Sequence, residues 1–253
     1  MHVQPILGDP TLLLAFEGWN DACGAASTAV RCVNDLMNAV PLGEIDPDEY
    51  FDFTVLRPEV RYRSGRSGQI VWPTTEFRYG VVEEGHEIIT GLGIEPHLRW
   101  RSFCDAIVEL AVDMGVRRCV TLGAYLADVV YSQPVIVTGH STSPRMLDRF
   151  EVVPTSYEGM TGIVGVLSNV LQEEGVEVVS LWAGLPHYIT ATPNPRGALA
   201  LLRKVSQYVG APLDLKALRE ESVEFEAEMS KIVAADDELT EYVKELKRRE
   251  FAQ

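Results

Sequence analysis

Short apolar runs alternate along this chain with longer segments in which apolar residues recur every three or four positions. Continuous apolar runs bounded by turn residues are typical of strands that are buried on both faces. We expect strands within residues 12–16, 50–56, 76–82, 86–92, 117–123, 134–140 and 176–186. Residues 76–82 and 86–92 form either a hairpin or two neighbouring core strands. A loop rich in glycine, serine and arginine begins at residue 61 and leads into a further short strand before Pro73.

Helical periods separate the strands. They span residues 22–39, 95–115, 155–175 and 193–210. The last segment has proline near its start and glycine after its end, which is the usual asymmetry of a helix. Strands that alternate with helices over about 200 residues predict an α/β fold of three layers. In this α/β/α arrangement, helices cover both faces of a mixed, mostly parallel sheet.

The C-terminal segment, residues 212–253, has a different pattern. It is highly charged, and its apolar residues keep a spacing of three and four that Ser222 and Asp236 interrupt. This apolar seam consists of Leu215, Leu218, Phe225, Met229, Ile232, Leu239, Val243 and Leu246. The acidic residues from Asp236 onward are suited to begin a helix. We therefore expect a domain of residues 1–211 and a helical appendage of residues 212–253, with two helices that contribute to a homo-oligomer.

Composition narrows the classes of function. The 253 residues carry a net charge of -15 and the pI is about 4.7. A surface this acidic repels phosphate backbones, so we expect no nucleic-acid partner. We expect no signal peptide, because the start has no basic region followed by an apolar core. We expect no membrane association, because no apolar run approaches the ~20 residues that span a bilayer. The four cysteines form no C-x-x-C pair, so we expect no metal and no cofactor. They stand in apolar or helical surroundings that suit free thiols, which favours a reducing cytoplasm.

The turn after the first strand is the first candidate site. Glu17, Trp19, Asn20 and Asp21 follow a buried strand, and functional residues collect at the carboxyl ends of parallel strands. In the structural alternative, Gly18 makes the turn, Asp21 caps the next helix and Trp19 packs. Two acids at one turn argue against a phosphate in this place.

The second candidate lies in the segment "YEGMTGIVG". Gly159, Gly162 and Gly165 recur every three residues at a predicted helix start, with Thr161 among them. Such a segment either cradles a phosphate or lets a helix approach a strand closely. It matches neither the P-loop nor the dinucleotide-binding fingerprint.

Two histidines complete the candidate pocket. His140 and His187 each follow a predicted strand, so both could face one cleft at the carboxyl edge of the sheet. A catalytic constellation would then use Ser141 or Ser143 as its nucleophile. However, the sequence contains no G-x-S-x-G elbow and no H-E-x-x-H motif.

Several segments together resemble the PAC2 family, named after a eukaryotic proteasome assembly chaperone. They are "FEGWNDACGAAS", "FTVLRPEV", "IVWP", "GIEPHLRWRSF", "YEGMTGIVG" and "WAGLPHYI". The resemblance covers about residues 10–210, and it implies an α/β/α fold similar to that of purine nucleoside phosphorylases. It also implies a protein that oligomerises. Chaperones of the family commonly end in a hydrophobic-Tyr-any motif, and Ala252 stands here in place of the tyrosine, which argues against docking through the tail.

We therefore expect a non-enzymatic cytoplasmic protein with an assembly, chaperone-like or protein-interaction role. Its partner would be a protein, with a proteasome-related protein as the candidate. The chain would form a homo-oligomer, a trimer by analogy with the rings of the family. The alternative is a small-molecule hydrolase or phosphorylase that binds a nucleoside-like ligand. Convergence on one closed polar pocket would favour the enzyme. The candidate pocket residues are Glu17, Trp19, Asn20, Asp21, His140, Thr161 and His187.

Overall fold

One eight-stranded sheet forms the centre of the molecule. A computed structural model describes residues 7–62 and 68–251. The strands are β1 (Thr11–Glu17), β2 (Val40–Ile45), β3 (Glu59–Arg61), β4 (Gln69–Val71), β5 (Thr75–Val81), β6 (Glu87–Ile94), β7 (Arg118–Ala127), β8 (Val137–Ser141), β9 (Val153–Pro154) and β10 (Glu177–Pro186). The order in the central sheet is β2-β5-β6-β1-β7-β10-β8-β9, and β3 and β4 form a separate two-stranded hairpin.

The sheet is mixed and mostly parallel, as the sequence predicts. Strand β1 lies in the middle and pairs in parallel with β6 and β7, and β7 pairs in parallel with β10. Antiparallel pairs occur towards the edges, where β5 joins β2 and β6, and where β8 joins β10. The carboxyl ends of β1, β6, β7 and β10 therefore meet at one edge of the sheet, which we call the carboxyl edge.

Helices cover both faces, which gives the three-layer α/β/α architecture. The helices are α1 (Ala25–Leu36), α2 (Trp100–Asp113), α3 (Pro144–Arg149), α4 (Ile163–Glu173), α5 (Pro195–Val209), α6 (Lys216–Ala234) and α7 (Asp237–Phe251). Helices α1 and α5 pack on one face of the sheet, and α2 and α4 pack on the other. Helix α6 lies on α5, and α7 contacts α6.

Strand β1 shows why the central runs are continuously apolar. Leu13 and Ala15 face the layer of α1 and α5, whereas Leu12, Leu14 and Phe16 face the layer of α2 and α4. All five side chains are buried. Both faces of the strand are covered. A polar side chain on either face would therefore lose its contact with water without gaining a compensating hydrogen bond.

The strand predicted at residues 50–56 is wrong, because this segment forms turns. The carboxylate of Asp52 accepts hydrogen bonds from the backbone N–H of Thr54 at 2.8 Å and from its hydroxyl at 2.6 Å. An aspartate that binds the backbone two residues ahead stabilises a turn in place of an extended strand. Phe51 is nevertheless buried, so its apolar character reflects packing.

The strand pairing in the sheet settles two other predictions from the sequence. Residues 76–82 and 86–92 belong to an antiparallel hairpin, β5 and β6, joined by a short turn at Glu83–Gly85. The predicted strand at 134–140 begins later, as β8, and runs antiparallel to β10. The loop predicted from residue 61 lies partly outside the described residues.

The C-terminal segment forms two helices that meet at Ala235-Asp236, as expected. Most of its apolar seam is buried, and Leu215 and Leu218 join the main core. Ser222, which interrupts the seam in the sequence, is also buried, whereas Ile232 is exposed and Val233 takes its place. Within the described residues, no helix is both long and apolar enough to cross a membrane.

Candidate functional site

The turn after β1 is a tight structural junction. Gly18 has a φ of +107°, and its carbonyl accepts a hydrogen bond from the backbone N–H of Asp21 at 3.1 Å. A short 3₁₀ turn at Ala22–Gly24 then precedes α1, so the helix begins three residues later than the sequence predicts. Glycine adopts this positive φ without a steric penalty, which explains its place in the turn.

Asp21 caps α1 across that 3₁₀ turn. Its carboxylate accepts hydrogen bonds from the backbone N–H groups of Ala26 at 2.6 Å and Ser27 at 3.2 Å. Burial raises the pKa of the Asp21 carboxyl above its usual value, and the hydrogen bonds from Ser27 and Ala26 offset part of this rise. Both carboxylate oxygens bind backbone N–H groups, which supports the structural role of Asp21 as a cap.

The carboxylate of Glu95 fills the space at the carboxyl edge, on the face of the sheet that carries α4. Glu95 follows β6, and its Oε1 accepts hydrogen bonds from Asn20 Nδ2 and from the backbone N–H of Ile163, both at 2.7 Å. Ile163 is the first residue of α4, so Glu95 occupies the position where a helix N-terminus would otherwise bind an anion. We call Asn20, Glu95 and Gly162 the edge plug.

Close packing leaves no room for a phosphate at the edge plug. A Cβ added to Gly162 would lie 2.1 Å from Asn20 Oδ1 and 2.6 Å from Glu95 Oε1. Asn20 is fully buried, and its Oδ1 has no hydrogen-bond partner among the described residues. The glycine-rich segment therefore allows α4 to approach the sheet closely. Of the two interpretations that the sequence offered for this segment, this is close packing and not phosphate binding.

The remaining candidate residues do not converge on one pocket. Thr161 is exposed next to the edge plug, and Glu17 pairs with Arg31 on the face that carries α1. His187 lies at the carboxyl edge, where its Nε2 is 2.9 Å from the Tyr242 hydroxyl and 3.1 Å from Asp128 Oδ1. It therefore contacts the tail helix α7.

The expectation that His140 and His187 share a cleft is not met. His140 lies within β8 and pairs with Ser180, near the start of β10, whereas His187 follows the end of β10. The two histidines are about 20 Å apart along the sheet, since a strand rises ~3.3 Å per residue. The reversed direction of β8 is the reason, because it puts the end of that strand at the opposite edge.

A wide groove lies beside α1 and has balanced charge. It has a volume of about 990 Å³ and is lined by α1, by β5 and β6, and by the β3–β4 hairpin. Glu17 and Arg31 face each other in it. Two further ion pairs line it, Glu59 with Arg61 at 2.9 Å and Glu76 with Arg78 at 3.1 Å. Because these charges pair with one another, the groove has little unpaired charge with which to bind a charged small molecule.

Exposed aromatic and apolar side chains surround the edge plug. The backbone N–H of Ala124 donates to the carbonyl of Asn20 at 2.9 Å, which places Trp19 beside the end of β7. The loop before α4 contributes a second pair, in which the Tyr157 hydroxyl donates to the carbonyl of Met160 at 2.9 Å. Trp19 is 59% exposed and Met160 is 82% exposed. We call this the edge surface: Trp19, Tyr125, Tyr157 and Met160.

Two classes of chemistry can be examined directly, metal binding and thiol nucleophiles. Within the described residues, no group of three or more histidine, cysteine, aspartate or glutamate side chains could hold a metal ion. Burial raises the pKa of Cys32 and of Cys104 to about 11, so these thiols are poorly suited to act as nucleophiles.

Sequence reasoning missed Glu95 as a site residue and, apart from Trp19, the edge surface. Glu95 stands in the segment "GIEPHLRWRSF", but a carboxylate that reaches a helix 68 residues away has no local pattern. Tyr125 follows the buried part of β7, and only the sheet edge reveals that it is exposed. The local signal was the change from small or aliphatic residues to aromatic ones after the buried parts of β1 and β7.

A family model and two similar solved structures agree on one family. A family model described as PAC2 family matches residues 15–233. A proteasome-assembly chaperone homologue from Mycobacterium tuberculosis is 36% identical, with a TM-score of 0.85 and coverage of 92% of this chain and 99% of that chain. A PAC2 family protein from Streptomyces avermitilis is 39% identical, with a TM-score of 0.86 and coverage of 93% and 100%.

A more distant structure shows the fold alone. A proteasome activator from Pyrococcus furiosus is 18% identical, with a TM-score of 0.70 over 91% of this chain and 96% of that chain. The search of curated proteins gave no match.

Proposed function

This chain belongs to the PAC2 family, and on that premise we propose that it is a non-enzymatic, cytoplasmic, assembly or chaperone-like protein. Its partner is a protein, and a proteasome subunit is the partner that we propose to test first. The similarity to the Mycobacterium tuberculosis proteasome-assembly chaperone homologue supports that choice. The free cysteines of the chain fit a reducing compartment.

The edge surface is the observation that carries this proposal. Trp, Tyr and Met are enriched in protein interfaces, and a few such anchors supply most of the binding energy. Trp19 and Met160 stand exposed above an edge plug that excludes small ligands. Polar residues of the kind an enzyme needs at this edge are engaged in backbone caps or tail contacts, so nothing favours a hydrolase or phosphorylase.

We also propose that the chain acts as a homo-oligomer. A trimer follows from the rings that are typical of the family. The seven residues of the candidate pocket then serve different roles: Asn20 and Asp21 hold the turn and α1, Trp19 contacts the partner, and Glu17, His140, Thr161 and His187 have no shared role.

The experiment compares two variants for binding to proteasome subunits of the source organism. Trp19→Ser combined with Met160→Ser removes two anchors of the edge surface, and Val112→Ser is the matched control, because Val112 is an exposed apolar residue on α2. We expect the double variant to weaken binding at least about tenfold, equivalent to ~1.4 kcal/mol, and the control to bind like the unmodified chain. The measurement is Kd by biolayer interferometry.

Two results would contradict the proposal. An unmodified chain that binds no proteasome subunit removes the suggested partner. A double variant that binds as tightly as the control removes the edge surface as the binding site.

A further inference from the structure

The two helical layers of this fold are unequal. On one face of the sheet, the core takes its helical side chains from α1, α5 and α3, and α3 packs on β8. On the other face, the core takes its helical side chains from α2 and α4, and α4 packs on β7 and β10. Strands β8 and β9 lie beyond α4 on this second face.

The side chains of β8 show that its second face is open. Alternate residues of β8 are buried on the side of α3, whereas Thr138 is partly buried and His140 is exposed. Thr138 pairs with Trp182 of β10 and with Val153 of β9, so these three residues lie in one row. The carbonyl of Ile136 accepts a hydrogen bond from the backbone N–H of Gly184 at 3.0 Å, which continues this pairing. Ile136 is 52% exposed and Val153 is 51% exposed. We call this the open face: Ile136, Thr138, His140, Val153 and Trp182.

Two aromatic rings make this part of the sheet flat and rigid. Trp182 pairs with Gly123 of β7 and covers it, because a Cβ added to that glycine would lie 2.5 Å from Trp182 Cε3. Tyr125 covers Gly184 in the same way, at 3.1 Å from its hydroxyl oxygen. The Trp182 Nε1 donates to Ser180 Oγ at 2.9 Å, which holds the ring in place. A surface that is already ordered reduces the entropic cost of binding.

The open face is uncharged in a strongly acidic protein. The residues of β7, β8, β9 and β10 that lie on this side include no aspartate, glutamate, lysine or arginine. The whole chain has a net charge of -15. Depletion of charge with enrichment of aromatic residues is the composition of an interface core. The open face also adjoins the edge surface through Tyr125.

The open face has the width of one helix. Neighbouring strands lie ~4.8 Å apart, so β10, β8 and β9 together span about 10 Å. An α-helix with its side chains is about 10–12 Å across. The connection from β9 to α4 buries none of its residues 153–161 against this face. The layer that holds α2 and α4 therefore has a place for one more helix beside α4.

A helix from a second copy of this chain fits that place poorly. The large apolar side chains that the described helices expose are isolated ones, Val112 on α2 and Val223 and Ile232 on α6. Val223 and Ile232 lie on opposite sides of α6, because a turn holds ~3.6 residues. None of the described helices thus offers an exposed apolar stripe. The acidity of the chain also makes two copies repel each other.

We propose that the open face binds an amphipathic helix of the protein partner, which completes the second helical layer beside α4. The apolar stripe of this helix packs on Trp182, Ile136 and Val153, and its polar side is basic, since it lies close to an acidic protein. This inference rests on the proposed protein partner and adds the element of the partner that binds. The edge surface and the open face then form one continuous footprint.

The first experiment measures Kd for proteasome subunits of the source organism by biolayer interferometry. Ile136→Ser combined with Val153→Ser makes the open face polar. Val112→Ser combined with Val223→Ser is the matched control, because it removes two valines that are exposed elsewhere. We expect the open-face variant to weaken binding at least tenfold and the control to bind like the unmodified chain. Urea unfolding checks that both variants are folded.

The results separate this inference from the proposed function. Binding that is lost in the Trp19→Ser, Met160→Ser variant but kept in the open-face variant overturns the open face and leaves the proposed function intact. An unmodified chain that binds no subunit removes the suggested partner, and a model helix then tests the open face by itself.

The model helix is a peptide of leucine and lysine of about 18 residues, or five turns, in which the leucines form one stripe. A peptide of the same composition with dispersed leucines is its control. Fluorescence anisotropy in about 0.3 M salt, which screens exposed charges, gives the affinities. We expect the striped peptide to bind the full chain at least tenfold more tightly than the dispersed one, and to lose this advantage in the open-face variant. Equal binding of the two peptides, or equal binding to the two proteins, overturns a helix as the occupant.

A photo-cross-linking residue in place of Val153 identifies the occupant directly. We expect a cross-link to a helix of the added subunit. A cross-linked dimer of this chain would instead identify a second copy on the open face and overturn the proposal.

Discussion

Single residues decide the geometry of the carboxyl edge. Gly18 supplies a positive φ at the end of β1, and Gly162 lets α4 approach Asn20 and Glu95. The two glycines act differently: Gly18 is needed for its backbone conformation, whereas Gly162 is needed because a side chain would collide with its neighbours. Both requirements exist independently of any ligand.

Gly18→Val should destabilise the protein more than Gly43→Val does. A valine at φ +107° is strained, which costs about 1–3 kcal/mol. Gly43 lies in β2 and has no atom within 4 Å of an added Cβ, so valine fits there. The free energy of unfolding in urea, measured for both variants, is the comparison. Equal stabilities would show that the turn tolerates a different backbone conformation.

At the scale of elements, α6 behaves as part of the fold. Its buried side chains cover α5 and extend the core on the face of α1. Most of its acids face solvent on the opposite side, and Glu226 pairs with Arg196 of α5 at 3.3 Å. The helix is therefore amphipathic. Whether residues 212–253 form a unit separable from residues 1–211 stays a prediction.

Leu218→Ala tests the packing of α6. Leu218 is 4% exposed, and truncation of a buried leucine costs about 2–5 kcal/mol through lost transfer energy and the cavity left behind. Val223, on the same helix, is 65% exposed, and Val223→Ala should change the stability by less than ~0.5 kcal/mol. Urea unfolding gives both numbers. Similar small effects of the two substitutions would mean that α6 is loosely attached in solution.

For the whole molecule, the position of α7 shows what the tail covers. Val243 and Leu246 of α7 pack against Val130 and Val233, near the end of β10, and Tyr242 contacts Asp128. Most of the apolar seam of the tail is thus buried within one chain, which weakens the reason to expect it at a subunit interface.

Deletion of residues 236–253 should therefore leave the assembly state unchanged. The shortened chain should be less stable, because the cluster around Val130 loses its cover. Light scattering gives the mass of the assembly for the shortened and the full chain. A deletion that dissociates the assembly would assign the interface to the tail.

The sequence predicted most of the fold because the strands and helices have strong local patterns. Strand β1 is apolar at every position that both layers cover, and α5 has its proline and glycine at the expected ends. The prediction from sequence failed at residues 50–56. The apolar residues there suggested a strand, but an aspartate among them stabilises a turn. The prediction also treated Ile232 as part of the seam, although one position along the helix separates an exposed side chain from a buried one.

Local patterns along the chain were sufficient to predict the α/β/α class, the two tail helices and the resemblance to the PAC2 family, since periodicity and motifs are local. The candidate pocket, in contrast, depended on how distant segments meet in the fold. Glu95, Asn20 and Gly162 meet because β1, β6 and α4 converge at one edge, and His140 is carried to the other edge by the direction of β8. Such contacts depend on sheet order and strand direction, which a local pattern does not encode.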